Sequence, residues 1–232
     1  MIALVLAVPV LMQTAGPAGG FEQGDVERLR RTGLCPKCRL GGVDLNGWTL
    51  VRGTIVNTGP VRIDLGGADL SGAILRKAGL RWANLSGANL SGADLRRADL
   101  RRADLRDATL AGTDLGETNL TTARLDRAVL DDADLSRAML AGTRLVGATL
   151  RRANLAEAVL PRASLAGADL SGAVLAGALL SETDLRRARL DRADLRGTDL
   201  RGALGLTQFQ LNQACADDST DLPDGLTARP CG

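Results

Sequence analysis

The chain has 232 residues, with no His, no Tyr, two Phe and two Trp, so its core must pack small and aliphatic side chains in a regular way. Without histidine it lacks the commonest general base and metal ligand at neutral pH. Lys and Arg total 29 against 27 Asp and Glu, and this net charge of +2 produces no overall field that attracts nucleic acid.

Residues 1–18 have the pattern of a secretory signal peptide. An uncharged apolar run extends from Ile2 to Met12, and cleavage is expected near Ala15 or Ala18. The run is shorter than the roughly 20 residues of a membrane span. No Lys or Arg precedes it, so a misassigned start or a short membrane-facing tail is the alternative. We expect a periplasmic or extracellular bacterial protein with no transmembrane span after signal removal.

Residues 21–38 are interpreted as an N-terminal cap. A short helix is predicted over 26–32, with Asp25 at its start and Gly33 at its end. The CPKC motif, from Cys35 to Cys38, follows the helix end. A redox-active pair would lie at a helix N-terminus that stabilises the thiolate, so a structural role is favoured over catalysis.

Residues 39–63 carry a weaker form of the repeat that follows them. In GGVDLNGWTLVRGTIV the apolar residues Val43, Leu45 and Leu50 keep its spacing, and Pro60 then breaks it. We interpret this segment as a degenerate first coil with a bulge at one corner.

Residues 64–204 repeat every five residues. From Leu65 to Leu200 every fifth residue is Leu, 28 in succession, and from Ala68 onward the residue two places before each Leu is Ala or Thr. On an α-helix, leucines five apart would step about 140° around the axis. On a straight strand they would alternate between the two faces. Neither structure gathers the leucines into one core.

The leucines meet only if the chain bends in the same direction once in every five residues. Four bends close a square, so each coil takes 20 residues and stacks on the next at about 4.8 Å. The predicted fold is therefore an all-β, four-sided parallel β-helix of about seven to eight coils. Short capping helices are expected at both ends, because an open end exposes unpaired backbone.

The motif ANLSGADLRRADL, residues 88–100, resembles the A(D/N)LXX pattern of the pentapeptide-repeat proteins, and the likeness extends over about residues 65 to 203. The resemblance implies a right-handed quadrilateral parallel β-helix. Some members of that family mimic DNA and protect or inhibit type II topoisomerases.

Residues 205–232 are interpreted as a C-terminal helix followed by a disulfide-stapled, acidic tail. Thr207 and Gln210 have the spacing of a capping box. The residues expected to cover the last coil are Leu206, Phe209, Leu211 and Ala214.

Four cysteines lie at the two ends of the predicted rod. Cys35 and Cys38 are about 34 Å by coil spacing from Cys215 and Cys231, whereas a disulfide needs Cα atoms within about 7 Å. One disulfide within each end is therefore predicted, which agrees with export. The same separation argues against a zinc site built from all four cysteines.

Two surface features are candidate contact sites. A strip of outward apolar residues is expected to be covered, either by the C-terminal segment or by a partner chain such as a second copy. A basic patch is suited to an anionic partner, although a solvated rim balanced by Asp is the simpler interpretation. The strip comprises Met139, Val159, Val174 and Leu179, and the patch comprises Arg76, Lys77, Arg81, Arg96, Arg97, Arg101 and Arg102.

Asp94, Asp114, Asp134 and Asp194 share one predicted face and are candidate Ca²⁺ ligands. Neighbouring Arg residues favour ion pairing instead, so no metal or other cofactor is predicted.

The sequence predicts a non-catalytic exported scaffold or protein-interaction module. Its partner is an unidentified protein, and a second copy of the chain is one candidate. The alternative is a DNA-mimicking topoisomerase-binding protein. Such mimicry needs a strongly acidic cytoplasmic protein, whereas residues 64–203 contain 21 basic and 19 acidic residues. A nucleic-acid partner and an enzymatic activity are not expected.

Overall fold

The computed structural model describes residues 22–32, 34–40, 43–45 and 63–228. The predicted signal segment and most of the predicted degenerate coil therefore lie outside the described residues. From 63 to 204 the chain alternates between single-residue parallel β-bridges and two-residue turns. Each bridge joins residues 20 apart, such as Asp94 with Asp114, so the chain forms stacked four-sided coils. The predicted parallel β-helix is confirmed, although each side is too short to form a continuous strand.

The core is a stack of the repeated leucines and the residues two places before them. All 28 leucines are at most 2% exposed. Ala occupies the second core position except at Ile63 and where Thr113, Thr118, Thr143, Thr183 and Thr198 replace it, and these six residues are also buried. The small residue fills the space that the neighbouring leucine leaves, so the narrow coil reaches the packing density of a protein interior.

Backbone hydrogen bonds hold adjacent coils together. In the pentad around Leu95, the Leu95 amide donates to the carbonyl of Asp114 in the next coil at 2.7 Å, and the Asp94 amide donates to Ala73 in the previous coil at 2.9 Å. The Arg97 amide also donates to the next coil, and the Ala98 amide closes the turn onto Leu95. The fifth amide of the pentad belongs to Arg96, the first corner residue. It donates to the side chain of the residue before Leu95, Asp94 Oδ1, at 3.3 Å.

The N-terminal helix is longer than the sequence indicated. It spans Gln23–Thr32 and is labelled α1. Asp25 therefore lies in the first turn and does not cap the helix start. Its carboxylate accepts instead from the backbone amide of Arg39 at 2.8 Å and from the Arg28 side chain at 2.9 Å, which ties α1 to the first coil.

The first coil begins earlier than predicted. Leu34 already pairs with Asp64, and Arg39 pairs with Asp69. Cys35 and Cys38 therefore belong to a coil, in the positions that Leu and Ala occupy elsewhere, and not to a cap that precedes it. The sequence pattern hid this register because the pairing spans 30 residues here (64 minus 34) and 20 in the repeat.

The C-terminal helix, α2, spans Gln208–Gln213 and replaces one side of the final coil. Thr207 caps it, and the predicted capping box with Gln210 is present. After the helix the chain rejoins the stack, where Cys215 pairs with Asp194 and Asp221 pairs with Asp199. These pairs are 21 and 22 residues apart, because the segment with α2 takes one residue more than a coil side and the turn between Cys215 and Asp221 takes another.

Two of the four residues expected to cover the last coil are buried. Leu211 and Ala214 are buried, and Leu206 is partly buried against the core. Phe209 is 75% exposed, so its predicted covering role is wrong. Gln210 closes the end instead: its Nε2 donates to the carbonyls of Leu185 and Ala188, both at 2.9 Å. Neither of the helices in the described parts of the chain has the length and apolar character of a membrane span.

Candidate functional site

One side of the rod, which we call the front face, carries both candidate contact features. Its central residues are joined by consecutive parallel bridges. The two-residue turns before and after each central residue form the corners of this face. From the N-terminal end, the central residues are Gly79, Asp99, Asn119, Met139, Val159, Leu179, Asp199 and Asp221.

The candidate basic patch occupies the N-terminal end of the front face. The structure places its residues on the two corners that flank Gly79 and Asp99. The patch is therefore one surface, spread over two coils. Its members are Arg76, Lys77, Arg81, Arg96, Arg97, Arg101 and Arg102.

Most of the patch is already paired within the chain. Four of its arginines form ion pairs: Arg76 and Arg96 with Asp94, Arg97 with Glu117, and Arg101 with Asp99. The Arg102 guanidinium lies over the Trp82 ring, 4.5 Å from its centroid. Among the described residues, Lys77 and Arg81 have no ion-pair partner. The patch is thus cationic but largely compensated.

The candidate apolar strip occupies the middle of the same face. Met139 and Leu179 are 49% and 45% exposed, and Val159 lies between them. Val174 lies on the adjoining side, where it pairs with Asn154 and Asp194. At each corner beside the strip the first residue is small or apolar, as at Ala156 and Pro161, and the second is Gly, Arg or Glu. A contiguous apolar surface of this kind is typical of a contact site.

The C-terminal segment does not cover the strip. Up to residue 228 it stays at the end of the rod, where Asp221 pairs with Asp199 and where Leu222 and Leu226 pack on the core. The first of the two predicted coverings is therefore wrong for the described part of the tail.

The C-terminal end of the front face is acidic, a feature that sequence analysis missed. Asp217 and Ser219 lie over Arg196 and Gly197, and Asp221 continues the central column. The side chains of Asp218, Asp221 and Asp224 are exposed. The tail is acidic in the sequence, but its position depends on a 22-residue offset, to which α2 adds one residue and the turn after Cys215 adds another.

The four stacked aspartates are not a continuous column. Asn154 and Val174 separate Asp134 from Asp194. Protein donors already engage the carboxylates: Arg76 and Arg96 bind Asp94, Arg196 binds Asp194, and the Asn154 amide donates to Asp134 at 3.1 Å. Burial, together with repulsion from Asp94 and Asp134, raises the pKa of Asp114. These aspartates are therefore surface carboxylates that bind Arg and Asn side chains of the same chain.

The CPKC cysteines are buried at a coil corner. The Cα atoms of Cys35 and Cys38 lie 5.4 Å apart, a distance that a disulfide spans. Both residues are at most 1% exposed, so a substrate disulfide cannot reach them as in a redox enzyme. Asp25 is the third group near the two sulfurs, all within 4.8 Å of one another. Cys231 lies outside the described residues, so its pairing with Cys215 stays a prediction.

The corner residues form ion pairs between adjacent coils. Arg137 binds Glu157 at 2.9 Å and Arg162 binds Glu182 at 2.8 Å, one pair on each corner of the front face beside the apolar strip. The arginine hydrogen bonds lower the pKa of both glutamates. These pairs connect residues 20 apart in sequence and frame the strip.

Comparison with known proteins gives the class of the molecule. The sequence profile described as pentapeptide repeats matches in eight copies, over residues 63–102, 103–140, 133–172 and 168–204. These matches cover more than half of the chain, so the protein belongs to the pentapeptide-repeat family, whose members form right-handed quadrilateral β-helices.

Several solved structures are similar. HetL from the cyanobacterium Nostoc sp. strain PCC 7120, a pentapeptide-repeat protein involved in heterocyst differentiation regulation, is 32% identical over 87% of this chain and 97% of its own, with a TM-score of 0.37. Rfr23 from the cyanobacterium Cyanothece 51142 is 24% identical over 86% and 97% of the two chains, with a TM-score of 0.29. Full-length QnrB1, a plasmid-mediated fluoroquinolone resistance protein, is 17% identical over 77% and 91%, with a TM-score of 0.35. No curated protein sequence matches the chain.

Proposed function

We propose that the protein is a non-catalytic interaction module that binds a protein partner through the front face. The observation that carries this proposal is the exposed apolar strip around Val159, set between ion-paired corners on a rigid surface. Exposure of apolar side chains to water is unfavourable, so a face that only contacts solvent gains nothing from such a strip. Membership of the pentapeptide-repeat family supports the proposal, since its members are generally structural or interaction proteins.

The test compares charge substitutions on opposite sides of the rod. Met139→Asp and Leu179→Asp add charge to the strip without touching the core, and Val129→Asp adds it on the opposite side. We expect partners captured by the natural protein to be lost with the two strip variants and kept with Val129→Asp. Equal capture by all four proteins would contradict a role for the front face.

We also propose that the protein is exported to the periplasm or the cell exterior. The apolar run from Ile2 to Met12 and the arrangement of Cys35 with Cys38 support this location. Mass spectrometry of the protein from fractionated cells is expected to show a chain that begins shortly after residue 15 or 18, with no free thiol. An intact N-terminus in the cytoplasmic fraction would contradict export.

The DNA-mimic alternative is not favoured by the charge of the rod. A mimic presents continuous negative charge, but residues 64–203 contain more basic than acidic residues, and the basic patch lies on the front face. We expect no effect of the protein on DNA supercoiling by a type II topoisomerase. Protection or inhibition in that assay would revive the alternative.

A further inference from the structure

The front face changes character along the rod in a fixed order. Its N-terminal end, around Gly79 and Asp99, is basic. Its middle, from Met139 to Leu179, is apolar. At its C-terminal end the acidic residues Asp199, Asp217, Asp218 and Asp221 outnumber Arg196 and Arg201, so this end is acidic although Arg201 pairs with Asp221 at 3.7 Å. A surface with opposite charges at its two ends and an apolar centre is complementary to itself when one copy is turned end over end.

We propose that the front face docks on the front face of a second copy, with the two rods antiparallel and a two-fold axis passing by Val159. This inference rests on the proposed interaction function and names the partner as an identical chain. Such a contact is isologous, because both copies use the same face, and the basic end of each copy meets the acidic end of the other.

Two independent features give the same register. Val159 is the middle residue of the apolar strip, one coil from Met139 and one from Leu179. It is also three bridges from Asp99, in the basic end, and three bridges from Asp221, in the acidic end. When Val159 meets its own copy, each Met139 therefore faces a Leu179. At the same time each basic coil, with four arginines on its corners, faces the acidic coil of the other copy.

Charge determines the relative direction of the rods. In a parallel pair the basic ends would meet each other and the acidic ends would meet each other, which is unfavourable for charges in contact. In the antiparallel pair Glu117 also comes to face the coil of Arg196. Glu157 and Arg162 then face their own copies near the axis, but each is already neutralised in its own chain, by Arg137 and Glu182 respectively.

The contact is modest in size, so its affinity depends on conditions. Six coil steps separate Asp99 from Asp221, about 29 Å at the spacing of paired strands. This is short for a stable dimer interface, and its outer contacts are surface ion pairs that salt screens. We expect a reversible dimer that forms at high protein concentration and low ionic strength.

Sedimentation equilibrium at low and high salt tests the dimer. Val159→Arg places two like charges at the axis and is expected to weaken association at least about tenfold, whereas Val129→Arg, on the opposite side and similarly half-buried, is expected to leave it unchanged. A protein that stays monomeric at every concentration overturns the self-docking, and so does an equal effect of the two variants. Neither result bears on capture of another partner through the strip, which the aspartate variants test separately.

Cysteine cross-linking tests the direction and the register. Val159→Cys is expected to form a covalent dimer under mild oxidation, and Val129→Cys is not. Neither Met139→Cys alone nor Leu179→Cys alone is expected to form a covalent dimer. A mixture of the two variants is expected to cross-link, because each residue 139 faces a residue 179. Cross-linking of Met139→Cys with itself would indicate parallel rods and would overturn the proposal.

Discussion

At the scale of single residues, the five buried threonines show how a polar group fits into an aliphatic column. Each hydroxyl donates to the carbonyl of a leucine 23 residues earlier, as Thr118 does to Leu95 at 2.8 Å. The carbonyl also accepts the backbone amide of Ala98, at 3.0 Å. Because the hydroxyl is satisfied, Thr replaces Ala in the core without leaving an unpaired polar group.

Thr118→Val keeps the shape of the side chain and removes this hydrogen bond. We expect it to lower the free energy of unfolding by about 1 kcal/mol. Thr109→Val, at an outward position, is the matched control and is expected to change stability by less than about 0.5 kcal/mol. Denaturant unfolding followed by circular dichroism measures both, and equal effects would show that the buried hydroxyl bond contributes nothing.

The Asp and Arg that flank a repeat leucine form a second recurrent unit. Around Leu200, Arg201 donates two hydrogen bonds to Asp199, both from 2.9 to 3.0 Å, and the Arg201 amide binds the same carboxylate. The side-chain bond from Arg201 is the main cause that lowers the pKa of Asp199 to about 2. The equivalent arginines lower the pKa of Asp184 and Asp194 in the same way.

These carboxylates predict a loss of stability in acid. Because the pKa of Asp199 is lower in the folded protein than its ordinary value of 3.8, its contribution is complete above about pH 4 and is lost as the pH falls through about 2. NMR titration of the carboxyl carbon is expected to give the low value in the natural protein and a value closer to 3.8 in Arg201→Gln. An unchanged titration in the variant would contradict the assigned cause.

At the scale of elements, α2 solves the problem of ending a β-helix. A terminal coil leaves carbonyls with no next coil, and the side-chain amide of Gln210 donates to one of them, that of Ala188. The same amide adds a second bond to the Leu185 carbonyl, which also accepts the Ala188 amide. Gln210 itself is held by the capping box with Thr207. The cap therefore depends on a buried polar contact, and the exposed Phe209 takes no part in it.

Gln210→Ala is expected to destabilise the last coil by about 1 to 3 kcal/mol, because it leaves the Ala188 carbonyl without that donor. Hydrogen exchange should accelerate at Arg192 and Leu195, whose amides donate to Gln213 at the end of α2 and to Cys215 just after it. It should remain unchanged at Leu130 in the middle of the rod. Phe209→Ala is the control and should leave all three amides unaffected. A uniform acceleration along the rod would contradict the local role of the cap.

At the scale of the whole molecule, the 20-residue period determines which side chains are neighbours on each side of the rod. Residues one coil apart are neighbours, so ion pairs such as Arg137 with Glu157, the apolar strip and the charge order of the front face all follow from one register. The molecule presents fixed rows of side chains, and its proposed function uses one side of the rod for recognition.

The sequence predicts the coil, the core and the position of the strip, because the leucine period leaves one geometry that buries all the leucines. It did not predict the start of the first coil at Leu34, since Cys35 and Cys38 replace Leu and Ala there. Nor did it predict that Asp221 ends the front face, because α2 and the turn after Cys215 each add one residue to the last coil. In both places the chain between paired residues is longer than 20, so counting by twenties no longer gives the neighbour in the adjacent coil.

Pulsed electron paramagnetic resonance distances between spin labels on the side opposite the front face test the coil register most directly. With excess unlabelled protein present, labels at Asn89 and Asp169, four coils apart, should be about 19 Å from each other along the rod, and labels at Asn89 and Arg189 about 24 Å. An increase of about one strand spacing for each 20 residues is the predicted result. Distances that do not grow with the number of coils would contradict the stacked square coils and the surfaces built on them.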